Sequence, residues 1–151
     1  FSFTSLMFLY CLTMDFLKPV FIALRQRRKY NLLLTSCDRI CIVKPELLNV
    51  PDFAGSYCRA LNGEGYYGES IAILATGIPP RSKFGAHIEC VKSLAYALIE
   101  SGRTLDAKPI VEDAENYGLR GDDLVHLKKR IAGTKHRPVA GNGRRSLRPQ
   151  L

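Results

Sequence analysis

Residues 97–122 read Ala97-Leu98-Ile99-Glu100-Ser101-Gly102-Arg103-Thr104-Leu105-Asp106-Ala107-Lys108-Pro109-Ile110-Val111-Glu112-Asp113-Ala114-Glu115-Asn116-Tyr117-Gly118-Leu119-Arg120-Gly121-Asp122. The spacing predicts the end of one helix, a turn centred on Gly102, a second helix and a glycine stop. The same pattern recurs 37 residues earlier in one register without a gap. Ala60-Leu61 matches Ala97-Leu98, Gly65 matches Gly102, Glu69-Ser70 matches Asp106-Ala107, and Ile73-Leu74 matches Ile110-Val111. Ser56 likewise matches Ser93. A period of this size marks a helical repeat, because one helix pair cannot bury its apolar face alone and must stack on a neighbour. The expected fold is all-α: a short α-solenoid of antiparallel helix pairs, followed by a disordered basic C-terminal tail.

The rest of the chain divides around that repeat. Residues 1–50 are expected to hold apolar N-terminal helices and a degenerate repeat, in which Ala23-Leu24 and Tyr30 keep the register of Ala60-Leu61 and Tyr67. Residues 51–88 form the first clear repeat, 89–122 the second, 123–133 a capping helix and 134–151 an extended basic tail. Phe1 to Met14 is almost wholly apolar, but Asp15, Lys18 and Pro19 interrupt its continuation. Three readings stand for residues 1–24: two buried helices meeting at Pro19, a membrane span with a basic flank, or a targeting remnant. The uninterrupted run is shorter than the roughly 20 residues a bilayer crossing needs. The absence of an initiator Met is expected of a processed or partial chain.

Within the first 50 residues, a helix is predicted from Tyr30 to about Cys37, then a short extended piece, Ile40-Cys41-Ile42-Val43. Helix A of the first clear repeat should run from about Pro51, a favoured first-turn residue, to Leu61. Its helix B should run from Tyr67 to about Ala75, stopped by Gly77, Pro79 and Pro80 and succeeded by a loop over 81–85. The second pair is expected between Ala86 and Tyr117. Asp122 is placed as the cap of a last helix, Asp123 to Ile131, whose Leu124, Leu127 and Ile131 share one face; Gly133 ends it.

The chain has 151 residues and a formal net charge of +8, and the location of that charge matters more than its size. From Phe1 to Leu127 there are 14 basic and 14 acidic residues. From Lys128 onward there are eight basic residues and no acid: Lys128, Lys129, Arg130, Lys135, Arg137, Arg144, Arg145 and Arg148. Interspersed with Gly, Pro, Ser and Asn, these eight are the candidate RNA-binding residues, because such a segment suits threading between phosphates. Its arginines favour bidentate phosphate contacts and base stacking. A purely solubilising tail and an acidic protein partner are the alternatives. The five cysteines, Cys11, Cys37, Cys41, Cys58 and Cys90, are odd in number and irregularly spaced. That argues against a secreted disulfide framework and for a reducing compartment.

No catalytic, cofactor or metal site is expected. Gly63-Glu64-Gly65-Tyr66-Tyr67-Gly68 matches the GxGxxG string, yet no strand precedes it. A phosphate loop needs that strand and a helix opening at the glycines. A kinase loop would need a lysine where Ile71-Ala72-Ile73-Leu74 ends in leucine. The repeat register makes Gly65 an inter-helix turn instead. His87 with Cys90, and Cys37 with Cys41, lack the paired spacing of structural zinc sites. No third group stands in sequence to orient a Cys90–His87 nucleophile pair. No serine elbow, Walker loop or zincin motif is present.

The second copy resembles the pentatricopeptide repeat, a helix pair of about 35 residues. With Glu89 opening the unit, Leu94 and Leu98 fall on the family's apolar helix-A positions, Ser101-Gly102-Arg103 on its turn and Asp106-Ala107 on its acidic-Ala pair. Ile110-Val111 falls on helix B, and Gly118-Leu119-Arg120-Gly121-Asp122 stands where the family writes Gly, aliphatic, basic, Pro, Asp. Gly121 replaces the usual Pro, and Pro109 sits inside helix B. The tetratricopeptide repeat prefers Gly in mid helix A, where this unit has Tyr96. The resemblance covers about half the chain and implies RNA binding in a mitochondrion or chloroplast. The family's base-reading positions correspond to Lys92 with Asp122 and to Gly55 with Gly85, pairs that depart from its usual code. Sequence-specific readout by the repeats is therefore not expected. The expected function is structural: a helical-repeat protein of an organellar ribonucleoprotein, foremost a mitochondrial ribosome in the matrix. Its expected partners are ribosomal RNA, through the tail, and neighbouring proteins of the assembly. The alternatives are a scaffold subunit of a mitochondrial membrane complex anchored by residues 1–24, and a fragment of an RNA-processing factor.

Overall fold

A computed structural model describes residues 14–85 and 87–133 of the chain. The described residues form seven α-helices: α1 Met14–Gln26, α2 Tyr30–Val43, α3 Pro51–Gly63, α4 Tyr67–Leu74, α5 Ile88–Glu100, α6 Thr104–Asn116 and α7 Asp122–Gly133. A 3-10 turn at Pro45–Asn49 links α2 to α3, and a two-stranded hairpin, Ala75–Thr76 with Arg81–Ser82, comes after α4. The chain is thus all-α in class and built from repeated helix pairs.

The repeat is stricter in three dimensions than in sequence. Helices α3 and α5 begin at 51 and 88 and each has 13 residues. Helices α2, α4 and α6 begin at 30, 67 and 104. The intervals are all 37 residues, so the degenerate N-terminal segment is a full unit. The three turns between paired helices share one hydrogen-bond pattern. Lys29, Tyr66 and Arg103 donate their backbone N–H to the carbonyls of Leu24, Leu61 and Leu98 at 2.8–2.9 Å. Arg28, Gly65 and Gly102 donate to Arg25, Asn62 and Ile99 at 3.0–3.1 Å. Such six-to-one closure requires a left-handed residue just past the helix, which is why glycine is favoured there. Gly65 and Gly102 have φ of 84° and 73°; at the first turn Arg28 takes that role with φ 54°.

Small residues set the stacking. At Gly55 an added Cβ would lie 3.1 Å from Glu89 Cβ, so α3 and α5 pack closely enough that an alanine would need a shift of a few tenths of an ångström. Ala54, Ala60, Ala95, Ala97 and Ala107 are fully buried. The core runs as a strip through all units, from Leu17 and Phe21 through Phe53, Tyr57, Leu61, Leu94 and Leu98 to Val111 and Leu127. Phe21, Phe53 and Tyr57 form a tilted ring series at 5.9 and 6.1 Å, each pair adding about 0.5–1.5 kcal/mol beyond its buried area. Tyr57 also donates its hydroxyl to Asp38 at 2.5 Å, fastening α3 to α2. Each first helix of a pair packs on both helices of the preceding unit, the arrangement of a solenoid.

Four local expectations need correction. Ile40 to Val43 is helical, not extended, because Leu33, Leu34, Cys37, Ile40 and Cys41 share one buried face. Burial there outweighs the strand preference of the β-branched residues. Pro19 lies inside α1 and does not divide two helices. Arg81–Ser82 pairs with Ala75–Thr76 as a hairpin where a loop is expected. Asp122 occupies the first turn of α7, with Val125 N–H donating to the Gly121 carbonyl, so it does not cap from outside. Pro109 is in the helix interior, where the carbonyl of Leu105 loses its intrahelical donor; Leu105 is exposed, which leaves that carbonyl to water. Among the described residues no helix is long and apolar enough to cross a membrane. The apolar run Phe1 to Thr13 lies outside the described residues.

Candidate functional site

The first helices of the units line an inner face. Arg25 of α1 pairs with Glu89 of α5 at 3.1 Å, although α3 lies between those helices in the stack. A contact that skips one unit requires the stack to curve toward this face. Along it runs a ladder of charges. Lys92 meets Glu89 at 3.8 Å and Asp123 at 3.2 Å, and His87 Nε2 meets Asp52 at 2.9 Å. His87 Nδ1 accepts from the Cys90 backbone N–H, capping α5, so Nε2 carries the hydrogen shared with Asp52.

Beside the C-terminal turns of α1 and α3 and the middle of α5, a groove of about 580 Å³ opens. Its floor is Asn62 and Gly63 of α3 with Ser93 of α5. Tyr67 and Tyr30, which open α4 and α2 at equivalent repeat positions, and Tyr96 form its walls. Arg28, Arg59 and Lys92 bring positive charge, and Asp123, His126 and Leu127 of α7 close the far side. The Tyr67 and Tyr96 rings lie 6.1 Å apart, and Arg130 sits over Tyr96 at 4.9 Å. Burial, reinforced by the neighbouring Tyr96, raises the Tyr67 phenol above its ordinary pKa and keeps it neutral.

Asn62 is the unusual group. It is 7% exposed and donates Nδ2–H to the Ser93 carbonyl at 2.9 Å, while its Oδ1 has no donor. A buried acceptor left unpaired costs about 1–3 kcal/mol, so a donor belongs in the groove beside it. The charges are also unequal in status. Lys92 is matched by two carboxylates. Arg28 and Arg59 have no carboxylate partner among the described residues.

The groove and the tail are separate features. Of the eight basic residues singled out in sequence, three lie in α7. Lys128 pairs with Glu115 at 2.7 Å, Arg130 pairs with Glu100 and stacks on Tyr96, and Lys129 is exposed. Lys135, Arg137, Arg144, Arg145 and Arg148 lie outside the described residues. The base-reading positions do not assemble a reader: Lys92 is held by acids, Asp122 opens α7, Gly55 is buried against α5, and Gly85 turns the chain at φ 59°. Sequence reasoning missed the groove because Asn62 and Arg59 belong to no motif. The one legible signal was Tyr30 matching Tyr67 at the repeat interval.

Among the described residues no group of His, Cys, Asp and Glu is arranged to hold a metal ion. Cys37, Cys41, Cys58 and Cys90 are buried thiols. Burial, the largest influence on each of three of them, pushes Cys37 and Cys58 far above their ordinary range and Cys90 up to about 12. Such thiols are poor nucleophiles and metal ligands. Comparison with protein-family models, curated proteins and solved structures finds no match to this chain.

Proposed function

We propose that this chain is a structural, non-enzymatic component of an organellar ribonucleoprotein, foremost the mitochondrial ribosome in the matrix. The observation that carries the reading is the partition of charge: a neutral body of 14 basic and 14 acidic residues, then eight basic residues without an acid from Lys128 onward. A solenoid presents a long surface for its size, which suits packing between neighbouring proteins and RNA. The acid-free segment supplies the RNA contact, since each phosphate neutralised releases condensed counterions. The resemblance to pentatricopeptide repeats supports an organellar RNA partner. The engaged state of Lys92 and the absence of a side chain at Gly55 favour a scaffold over a reader of sequence.

The test is RNA binding by the full chain against a variant with Lys135, Arg137, Arg144, Arg145 and Arg148 changed to Gln. If all five contact phosphate, the slope of log K against log salt should flatten by about 3.5 for a single strand, at about 0.7 per contact. Unchanged affinity and slope would remove the tail from RNA binding. Co-sedimentation of the native protein with ribosomal particles, lost after nuclease, tests the assembly.

A further inference from the structure

Three features of the groove have no role in a scaffold held by its tail. Asn62 Oδ1 is buried without a donor. Arg28 and Arg59 line the groove with no carboxylate partner among the described residues. Arg28 also holds a left-handed backbone, φ 54°, where the two equivalent turns use glycine. A residue kept in a strained conformation that glycine would relieve points to a use for its side chain.

We infer that the groove binds one nucleoside phosphate, with the phosphate on Arg28 and Arg59, the base against Tyr67, and a base N–H donated to Asn62 Oδ1. Guanidinium groups suit phosphate through paired, charge-assisted hydrogen bonds. Tyrosine faces accept a base by stacking, whatever its identity. The groove volume, about 580 Å³, falls in the range of small-ligand sites. A carboxylate or inorganic phosphate would engage the arginines, yet would leave the Asn62 acceptor and the tyrosine wall unused. All four bases carry N–H donors, so one acceptor admits several bases. The nucleotide is either free or part of a single-stranded RNA; in the second case the inference rests on the RNA-binding reading above. A buried water on Asn62 is the competing account, and it predicts that nothing bound depends on residue 62.

The experiment uses the full chain and two probes, adenosine monophosphate by calorimetry and a fluorescein-labelled ten-nucleotide oligoadenylate by anisotropy. Asn62→Leu and Arg59→Gln are compared with the five-residue Gln variant of the tail. Asn62→Leu should fold as the parent does, because the Ser93 carbonyl keeps its helical donor. Arg59 is only partly buried, so Arg59→Gln guards against any fault in the first variant. Each groove variant should weaken binding of at least one probe about tenfold or more. A loss on both probes identifies a site open to free nucleotide. A loss on oligoadenylate alone identifies a strand nucleotide as the occupant. The tail variant should leave adenosine monophosphate binding unchanged; if it also leaves oligoadenylate unchanged, the tail reading fails and the groove stands. The inference is overturned if both groove variants melt as the parent does and bind both probes as before. It is equally overturned if inorganic phosphate displaces adenosine monophosphate at equal concentration.

Discussion

Replacing Arg28 by glycine should make this protein more stable, although it removes a charged side chain and adds backbone freedom. Arg28, Gly65 and Gly102 close equivalent turns through the same pair of hydrogen bonds. With φ 54°, Arg28 carries a Cβ in the left-handed region, which costs roughly 1–2 kcal/mol. It has no ion pair to lose among the described residues. Glycine relieves the Cβ cost but enlarges the unfolded ensemble, which offsets about 0.4–1 kcal/mol. The net gain is about 0.5–1 kcal/mol. The reverse change tests the same physics: Gly65→Ala at φ 84° meets no atom within 4 Å, so its cost is purely conformational. It should destabilise by about the same amount. Urea denaturation monitored by far-ultraviolet circular dichroism reads both, with midpoints moving in opposite directions at constant m. Thermal midpoints should move by roughly 3–6 °C per kcal/mol for a folded unit of this size. If Arg28→Gly lowers the midpoint, its side chain contributes more than its backbone costs. Strain would then no longer argue for a ligand at the groove.

Particular contacts set three further outcomes. Gly63→Ala places a Cβ 2.4 Å from Tyr30 Cγ and 2.9 Å from its Cβ, too near the root of that side chain for a rotamer change to relieve. It should destabilise by about 1–3 kcal/mol in urea denaturation, and a neutral result would displace α2 from its place against α3. Pro109→Ala restores a donor to the Leu105 carbonyl and should raise stability by about 1 kcal/mol or more in the same assay; a loss would mean that the helix is not continuous through residue 109. The thiol of Cys90 at about 12, against an ordinary 9.0, should hold roughly a thousandfold less thiolate at pH 8. Cys37, Cys58 and Cys90 should therefore resist a thiol reagent in buffer and react in denaturant, as peptide mapping would read. The same shifts carry a pH sign. Above pH 9 the unfolded thiols release protons that the folded ones retain, so stability declines as pH rises from there. A flat stability profile between about pH 9 and 10.5 would contradict burial of these thiols.

The helical class and the period were determined by the sequence, because both are local and repetitive. Gly102 and Gly118 mark turns through their backbone freedom alone, and Gly65 showed that its GxGxxG string is a turn and not a phosphate loop. Pro51, a first-turn residue, likewise placed the start of α3, whose end came within two residues of the expected Leu61. The charge partition at Lys128 is likewise a property of order along the chain. The first unit reads in sequence only as a degenerate repeat because Arg28 stands where glycine signals the turn, and packing keeps the geometry with that signal removed. Ile40 to Val43 misled because burial of Ile40 and Cys41 on the face shared with Leu33, Leu34 and Cys37 carries the helix through this segment against its β-branching. Only the tertiary structure decided the inner face. Curvature brings Arg25 to Glu89 across 64 positions of chain, and the packing of adjacent units sets Arg28 beside Asn62, Arg59 and Tyr67 around one groove. No periodicity encodes that set, since Arg28 of the first unit joins Arg59, Asn62 and Tyr67 of the second and all four occupy different repeat positions. The repeat defines the stack; the way the stack curves decides which side chains meet.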